Sequence, residues 1–224
     1  DPRRSIPPFA RKGDVKKAGG YMAYNRNKKS LALNVQAEEG REIIRRLAAV
    51  SDVVVENLRP GAMDKIGVGY NGLKELNPRI IYAMISGFGR MPGLESAYAQ
   101  RPAFDIVAEA MSGVMDLIGF EDRPPTFTLY GLADVYSGLV RAYGIMQALF
   151  MREKTGKGQL VDVSLLDNML ALNERMVALR PQPLMLSNQS ERSGQKAIRI
   201  TDNASIIRNG NVAAKTLTIG FSKR

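Results

Sequence analysis

The chain has 224 residues carrying 32 Lys and Arg against 22 Asp and Glu, a net charge of +10, with no His, Cys or Trp. That composition excludes a disulfide framework, a thiol nucleophile, a zinc finger, a Ser-His-Asp triad and any imidazole base, leaving carboxylates, hydroxyls, amines and backbone dipoles for catalysis. A hydrophobic fraction of 45% with 24% charged residues suits a globular chain with a core. No run approaches the roughly 18 apolar residues of a membrane span. The opening Asp1-Pro2-Arg3-Arg4 is not a secretory signal, so a cytoplasmic location is expected.

The charge is uneven. Residues 1–30 carry nine basic and two acidic side chains, residues 31–179 carry 15 and 18, and residues 180–224 carry eight and two. Basic ends around a mildly acidic body read first as solvated segments, with nucleic acid as the disfavoured partner.

Residues 1–20 combine Pro2, Pro7, Pro8, Gly13, Gly19 and Gly20 with basic residues and no apolar period, which predicts an irregular basic lead-in. Residues 21–180 read as one domain. Leu31-Ala32-Leu33-Asn34-Val35 alternates as a strand does, and Ala37 to Val50 places Ile43, Ile44, Leu47 and Ala48 on a helical stripe. Asp52 to Glu56 is a β-branched run suited to a strand buried on both faces. Short helices from Ala62 and up to Leu76 precede the Asn77-Pro78 turn and a second buried strand, Arg79 to Ile85. Residues 86–102 form a Gly-, Pro- and Ser-rich loop, and residues 103–118 a helix interrupted at Ser112-Gly113.

The clearest amphipathic helix covers residues 134–153, with Leu139, Val140, Tyr143, Met146, Ala148, Leu149 and Phe150 as its apolar side, and stops at Thr155-Gly156-Lys157-Gly158. Gln159 to Val163 reads as a strand. A helix follows from Ser164 to Leu179 with Ser164 as N-cap. Residues 181–224 form an atypical basic tail with β-leaning pieces at Ile198-Arg199-Ile200 and Leu217-Thr218-Ile219. The alternation predicts an α/β chain with a Rossmann-like parallel sheet flanked by helices.

A carboxylate nucleophile can perform acyl transfer through a mixed anhydride. Asp134 stands where Gly131-Leu132-Ala133-Asp134 enters the strongest helix, although on pattern alone such a residue is more often a helix cap. Asp105 is open to the same reading, Asp122 sits in an exposed Pro-rich turn, and Glu109 reads as a surface position. Asn57-Leu58-Arg59-Pro60-Gly61 follows a central strand, where ligands collect in open α/β sheets. Arg59, Lys65, Lys28 and Lys29 could meet phosphates there. Gly87-Phe88-Gly89 is too short for a dinucleotide fingerprint.

Asn25 to Leu31, Asp52 to Gly61, Ser86 to Gly89, Arg101-Pro102-Ala103-Phe104-Asp105 and Thr155 to Gln159 stand in an order that resembles the class III CoA-transferases, the CaiB/BaiF family that includes formyl-CoA transferase-like enzymes. The resemblance spans about residues 20–178. It implies a partial family large domain, with Asp134 as nucleophile and with coenzyme A or acyl-CoA as substrate, bound near Leu33, Gln36, Asn57, Leu58, Arg59, Lys65, Arg101 and Phe104. Small carboxylic acids would be the other substrate, no metal is needed, and the implied assembly is a homodimer. The related racemases resemble a His/Asp pair in their chemistry, and Phe104 stands at the place of that His. Family members resemble longer chains with a leading strand and a second, Gly-rich domain, so a truncated or fragmentary member is expected, with a non-catalytic remnant that keeps the fold as the alternative.

Overall fold

The computed structural model describes residues 2–12, 15–118, 120, 122–128, 131–173 and 216–218. Its centre is a parallel sheet of β3 (Val53–Glu56), β4 (Ile81–Ser86) and β5 (Leu160–Ser164), with β6 (Thr216–Thr218) beside β3, in the order β5-β4-β3-β6. Register is set by pairs such as Val54 with Tyr82 and Ala83 with Val161. Because side chains alternate across a strand, the two sheet faces build two cores. Val54, Tyr82 and Met84 pack with Ile44, Ala48, Met63, Val68 and Leu73, from α2 (Glu38–Ala49), α3 (Ala62–Lys65), α4 (Tyr70–Leu76) and the turn between the last two. Val53, Val55, Ile81 and Ala83 pack instead against Ala148 and Leu149 of α7 (Leu132–Thr155).

A third cluster joins Ala108, Ala133, Leu165 and Met169. It gathers α5 (Asp105–Ser112), the start of α7 and α8 (Leu165–Leu172) at one end of the sheet. Gly113, with φ 80°, ends α5 before the short α6 (Val114–Leu117), at the interruption expected from Ser112-Gly113. Ser164 caps α8 by accepting the Asp167 N–H at 3.1 Å.

The glycines of Thr155-Gly156-Lys157-Gly158 have structural reasons. Gly156 ends α7 in the left-handed region at φ 71°, and its N–H donates to the Arg152 carbonyl. Gly158 runs so close to β4 that a Cβ there would stand inside the Ile80 carbonyl, and its N–H donates to the Pro78 carbonyl at 2.9 Å.

Four local expectations are corrected. Residues 1–20 are not an irregular lead-in: they hold a 3-10 turn (Pro2–Ser5) and an antiparallel hairpin of β1 (Phe9–Lys12) and β2 (Val15–Ala18), followed by α1 (Gly19–Tyr24). Leu31 to Val35 forms no strand; Leu33 and Val35 pack on the first core from a loop. On α7 the face differs in part: Leu139, Tyr143 and Met146 are exposed, whereas Ala148 and Leu149 are buried as expected, together with Ala133, Ser137 and Gly144. Small residues let the helix lie close to the sheet, and Gly144 faces Val161. Glu109 is fully buried, not a surface position. Its Oε2 accepts from the Thr128 Oγ1 at 2.7 Å and N–H at 3.3 Å. The end of the expected helix at 174–179 and the piece at 198–200 lie outside the described residues.

Candidate functional site

Gly131 opens α7 at φ 93° with no side-chain cap, and Asp134 follows in the first turn. The Asp134 N–H donates to Asp105 Oδ1 at 3.0 Å, so the first residue of α5 holds the backbone beneath the Asp134 carboxylate. Asp105 Oδ2 is buried without a hydrogen-bond partner among the described residues. Asp134 is exposed on its open side, and its desolvation is therefore one-sided. That burial, with the negative charge of Asp105, still pushes its pKa above the ordinary carboxylate value, while Arg3 pulls it down. An exposed, relatively basic carboxylate in the first turn of a helix has the makings of a nucleophile.

Among the residues expected to meet coenzyme A, three directly follow the C-terminal end of a sheet strand. Asn57, Leu58 and Arg59 follow the last residue of β3, and the Leu58 N–H donates to Glu56 Oε2 at 2.6 Å. The Arg59 carbonyl accepts from Ala62 at 3.0 Å, leading into the turn that carries Lys65. Gly87, after β4, lies against Ala103. Arg101 sits 4.7 Å over the Tyr98 ring, which stacks at 5.4 Å on Phe88, so the loops at 87–89 and 101–104 come together. Phe104 is 78% exposed. Leu33 and Leu58 pack on the same core, and the Gln36 N–H donates to Asn34 Oδ1. Among the described residues no hydrogen bond or ion pair links Gln36, Arg59, Lys65 and Arg101 to one another.

The sequence reading missed a charged network where β3 ends. Glu56, 2% exposed at the end of β3, pairs with Arg90 at 2.5 Å. The Arg90 N–H donates to Asp162 Oδ2 on β5. Burial raises the pKa of Asp162, opposed by the Arg90 N–H and charge, and it raises Asp167, opposed by Ser164. Burial lowers the pKa of Arg141 on α7, opposed by Glu56. Charged residues set inside apolar strands, Glu56 after Val53-Val54-Val55 and Asp162 within Leu160-Val161-Asp162-Val163, were the available signal.

Residues 1–215 match the family model described as CoA-transferase family III. The chain belongs to CoA-transferase family III. Over 175 residues it is 43% identical to a succinyl-CoA:mesaconate CoA-transferase of Haloarcula marismortui, covering 78% of this chain and 44% of that protein. A formyl-CoA:oxalate CoA-transferase of Streptomyces coelicolor is 44% identical over 162 residues, 72% of this chain and 38% of its own. Human succinyl-CoA:glutarate CoA-transferase is 39% identical over 158 residues, 70% and 35% of the two chains. The crystal structure of a CAIB/BAIF family protein from Brucella suis superimposes with a TM-score of 0.73 at 39% identity, covering 80% of this chain and 47% of that one. This family III chain thus spans less than half the length of these relatives, and over the matched part it shares the fold of the Brucella suis protein.

Proposed function

We propose that the chain carries the nucleophilic half of an acyl-CoA:carboxylate CoA-transferase, with Asp134 as the nucleophile. The observation that carries this reading is the exposed Asp134 carboxylate at the start of α7, its backbone held by Asp105, in a chain matched to CoA-transferase family III. The Asp134 carboxylate adds to the donor thioester carbonyl and CoA thiolate leaves, giving a mixed anhydride. The thiolate then adds to the aspartyl carbonyl and expels the donor carboxylate, leaving an aspartyl-CoA thioester. The acceptor carboxylate adds to that thioester and expels the thiolate, forming a second anhydride. The thiolate takes the acceptor acyl group, and the Asp134 carboxylate is restored. No net proton transfer is required, which suits a site built without imidazole.

Coenzyme A would lie along the sheet edge, with Leu33, Gln36, Asn57, Leu58, Arg59, Lys65, Arg101 and Phe104 as its contacts and the cations toward its phosphates. Mesaconate, oxalate and glutarate in the relatives' names are dicarboxylic acids, and a dicarboxylic acid is the acceptor proposed here. A cytoplasmic homodimer completes the reading. Among the described residues no helix is long and apolar enough to cross a membrane. The test is CoA exchange from a radiolabelled acyl-CoA into acceptor acids by the parent and Asp134→Ala. Loss of exchange by roughly 10³-fold or more is expected, and parent-like exchange by the variant would remove Asp134 from the mechanism.

A further inference from the structure

Arg90 has no part in the transfer steps, yet it ties together segments that lie far apart in sequence. Its guanidinium pairs with Glu56 Oε1 at 2.5 Å, and its backbone N–H donates to Asp162 Oδ2. Glu56 is buried, and little of Arg90 reaches solvent. The other Glu56 oxygen, Oε2, accepts the Leu58 N–H at 2.6 Å. Both carboxylate oxygens are therefore committed, one to the guanidinium and one to the backbone that leads into Arg59. An ionised carboxylate holds such an N–H more strongly than a neutral acceptor does.

The loop that carries Arg90 is itself fixed on its other side. The Gly89 N–H donates to Ser86 Oγ at 3.0 Å, and the Gly87 carbonyl accepts the Leu166 N–H at 3.1 Å. Gly87 also lies so close to Ala103 that a Cβ would collide with the Ala103 side chain. Arg90 is thus the join between the segment of Asn57 to Arg59 and the segment of Arg101 to Phe104. Arg59 is exposed, and among the described residues it has no ion-pair partner, so the backbone beneath it fixes where its charge stands. Loss of Arg90 would leave the Glu56 carboxylate enclosed and uncompensated, a state relieved by taking a proton or turning to water. Either outcome slackens the hold on Leu58.

We propose that Glu56 and Arg90 are positioning residues for nucleotide binding: the pair holds the Leu58 N–H and so sets Arg59 where it meets the phosphates of coenzyme A. The inference rests on the coenzyme-binding reading above and gives the pair no step at Asp134. Glutamine cannot stand in for Glu56, because an amide accepts through one oxygen only and loses either Arg90 or the Leu58 N–H. Arg90→Lys keeps a cation beside Glu56, whereas Arg90→Gln removes it.

The measurement is calorimetric titration of the full chain with coenzyme A and with adenosine 3′,5′-bisphosphate. Arg90→Gln and Glu56→Gln are each expected to weaken both ligands about 10-fold, the loss of one charge-assisted contact. Arg90→Lys should stay within about 3-fold of the parent. The double variant should bind no more weakly than either single one, because both substitutions break the same pair. Arg152→Met breaks an enclosed pair at the C-terminal end of α7 and should leave both affinities unchanged, so lost stability alone does not mimic the effect. Melting curves check folding, and the two Arg90 variants carry the test where Glu56→Gln does not fold. Parent-like affinity in Arg90→Gln, an equal loss in Arg90→Lys or Arg152→Met, additive losses in the double variant, or a loss for coenzyme A without one for the bisphosphate would overturn the positioning role. A parent that binds neither ligand refutes the coenzyme-binding reading and this inference with it, while a parent that binds and variants that match it refute only this inference.

Discussion

The two ends of α7 are built on opposite principles. At its C-terminal end, Arg152 is buried, donates to Asp52 at 2.8 Å and to the Arg79 carbonyl at 3.2 Å, and is followed by the Gly156 cap and the close passage of Gly158 along β4. At its N-terminal end Gly131 offers no side-chain cap, Asp134 is exposed beside a second carboxylate, and Asp105 Oδ2 is buried without a partner among the described residues. Roughly 36 Å of helix separates the two, at about 1.5 Å for each of its 24 residues. One end anchors the helix to the sheet. The other holds charge in an arrangement that costs stability, at the place where we propose the nucleophile.

Substitutions can break this contrast from either side. The largest expected effect is at the anchored end. Gly158→Ala drives a Cβ into the Ile80 carbonyl, and because a backbone carbonyl cannot rotate away, a loss of about 3 kcal/mol is expected in denaturant unfolding, the upper part of the overpacking range. Arg152→Met comes next, at about 2 kcal/mol. Breaking a buried pair costs more than that when both partners are enclosed, but the Asp52 side chain is 28% exposed and regains water. Neither substitution should move the acid limb of Asp134 reactivity.

At the reactive end the effects are on pH dependence. Asp105→Asn removes a negative neighbour that raises the Asp134 pKa, so the acid limb of adduct formation should move to lower pH. Arg3→Gln removes a cation that lowers it and should move the limb the other way. A limb that stays in place in both variants would show that another group controls the profile.

The smallest effect is on stability. A carboxyl whose folded pKa is raised contributes stability below its unfolded pKa and loses it as pH rises through the folded value. Asp134→Asn should therefore match or slightly exceed the parent in melting temperature at neutral pH and lose that margin on acidification.

Much of the sheet was legible because local signals agreed with the final packing. Val53-Val54-Val55 and Ile81 to Ile85 are apolar on both faces because both faces are covered, and Gly113 and Ser164 punctuate helices by the usual stereochemistry. The N-terminal hairpin was not legible, since Phe9-Ala10-Arg11-Lys12 and Val15-Lys16-Lys17-Ala18 lack a continuous apolar face and are joined by backbone pairing. On α7 apolar character misled, because the helix approaches the sheet through small residues and leaves Leu139, Tyr143 and Met146 outward. Asp134 stood out at a helix entrance, but the pattern could not separate cap from nucleophile. The Asp105 contact joins residues 29 apart in sequence, and the Glu56–Arg90 pair joins residues 34 apart. Such partners are brought together by the fold and carry no local period.

In the proposed mechanism Asp134 becomes covalently acylated. Incubation with an acyl-CoA donor, quenching with hydroxylamine and peptide mapping by mass spectrometry tests it directly. A hydroxamate at Asp134 in the parent and none in Asp134→Asn is expected; a donor-dependent hydroxamate at another carboxylate, or none in the parent, would remove Asp134 as the nucleophile.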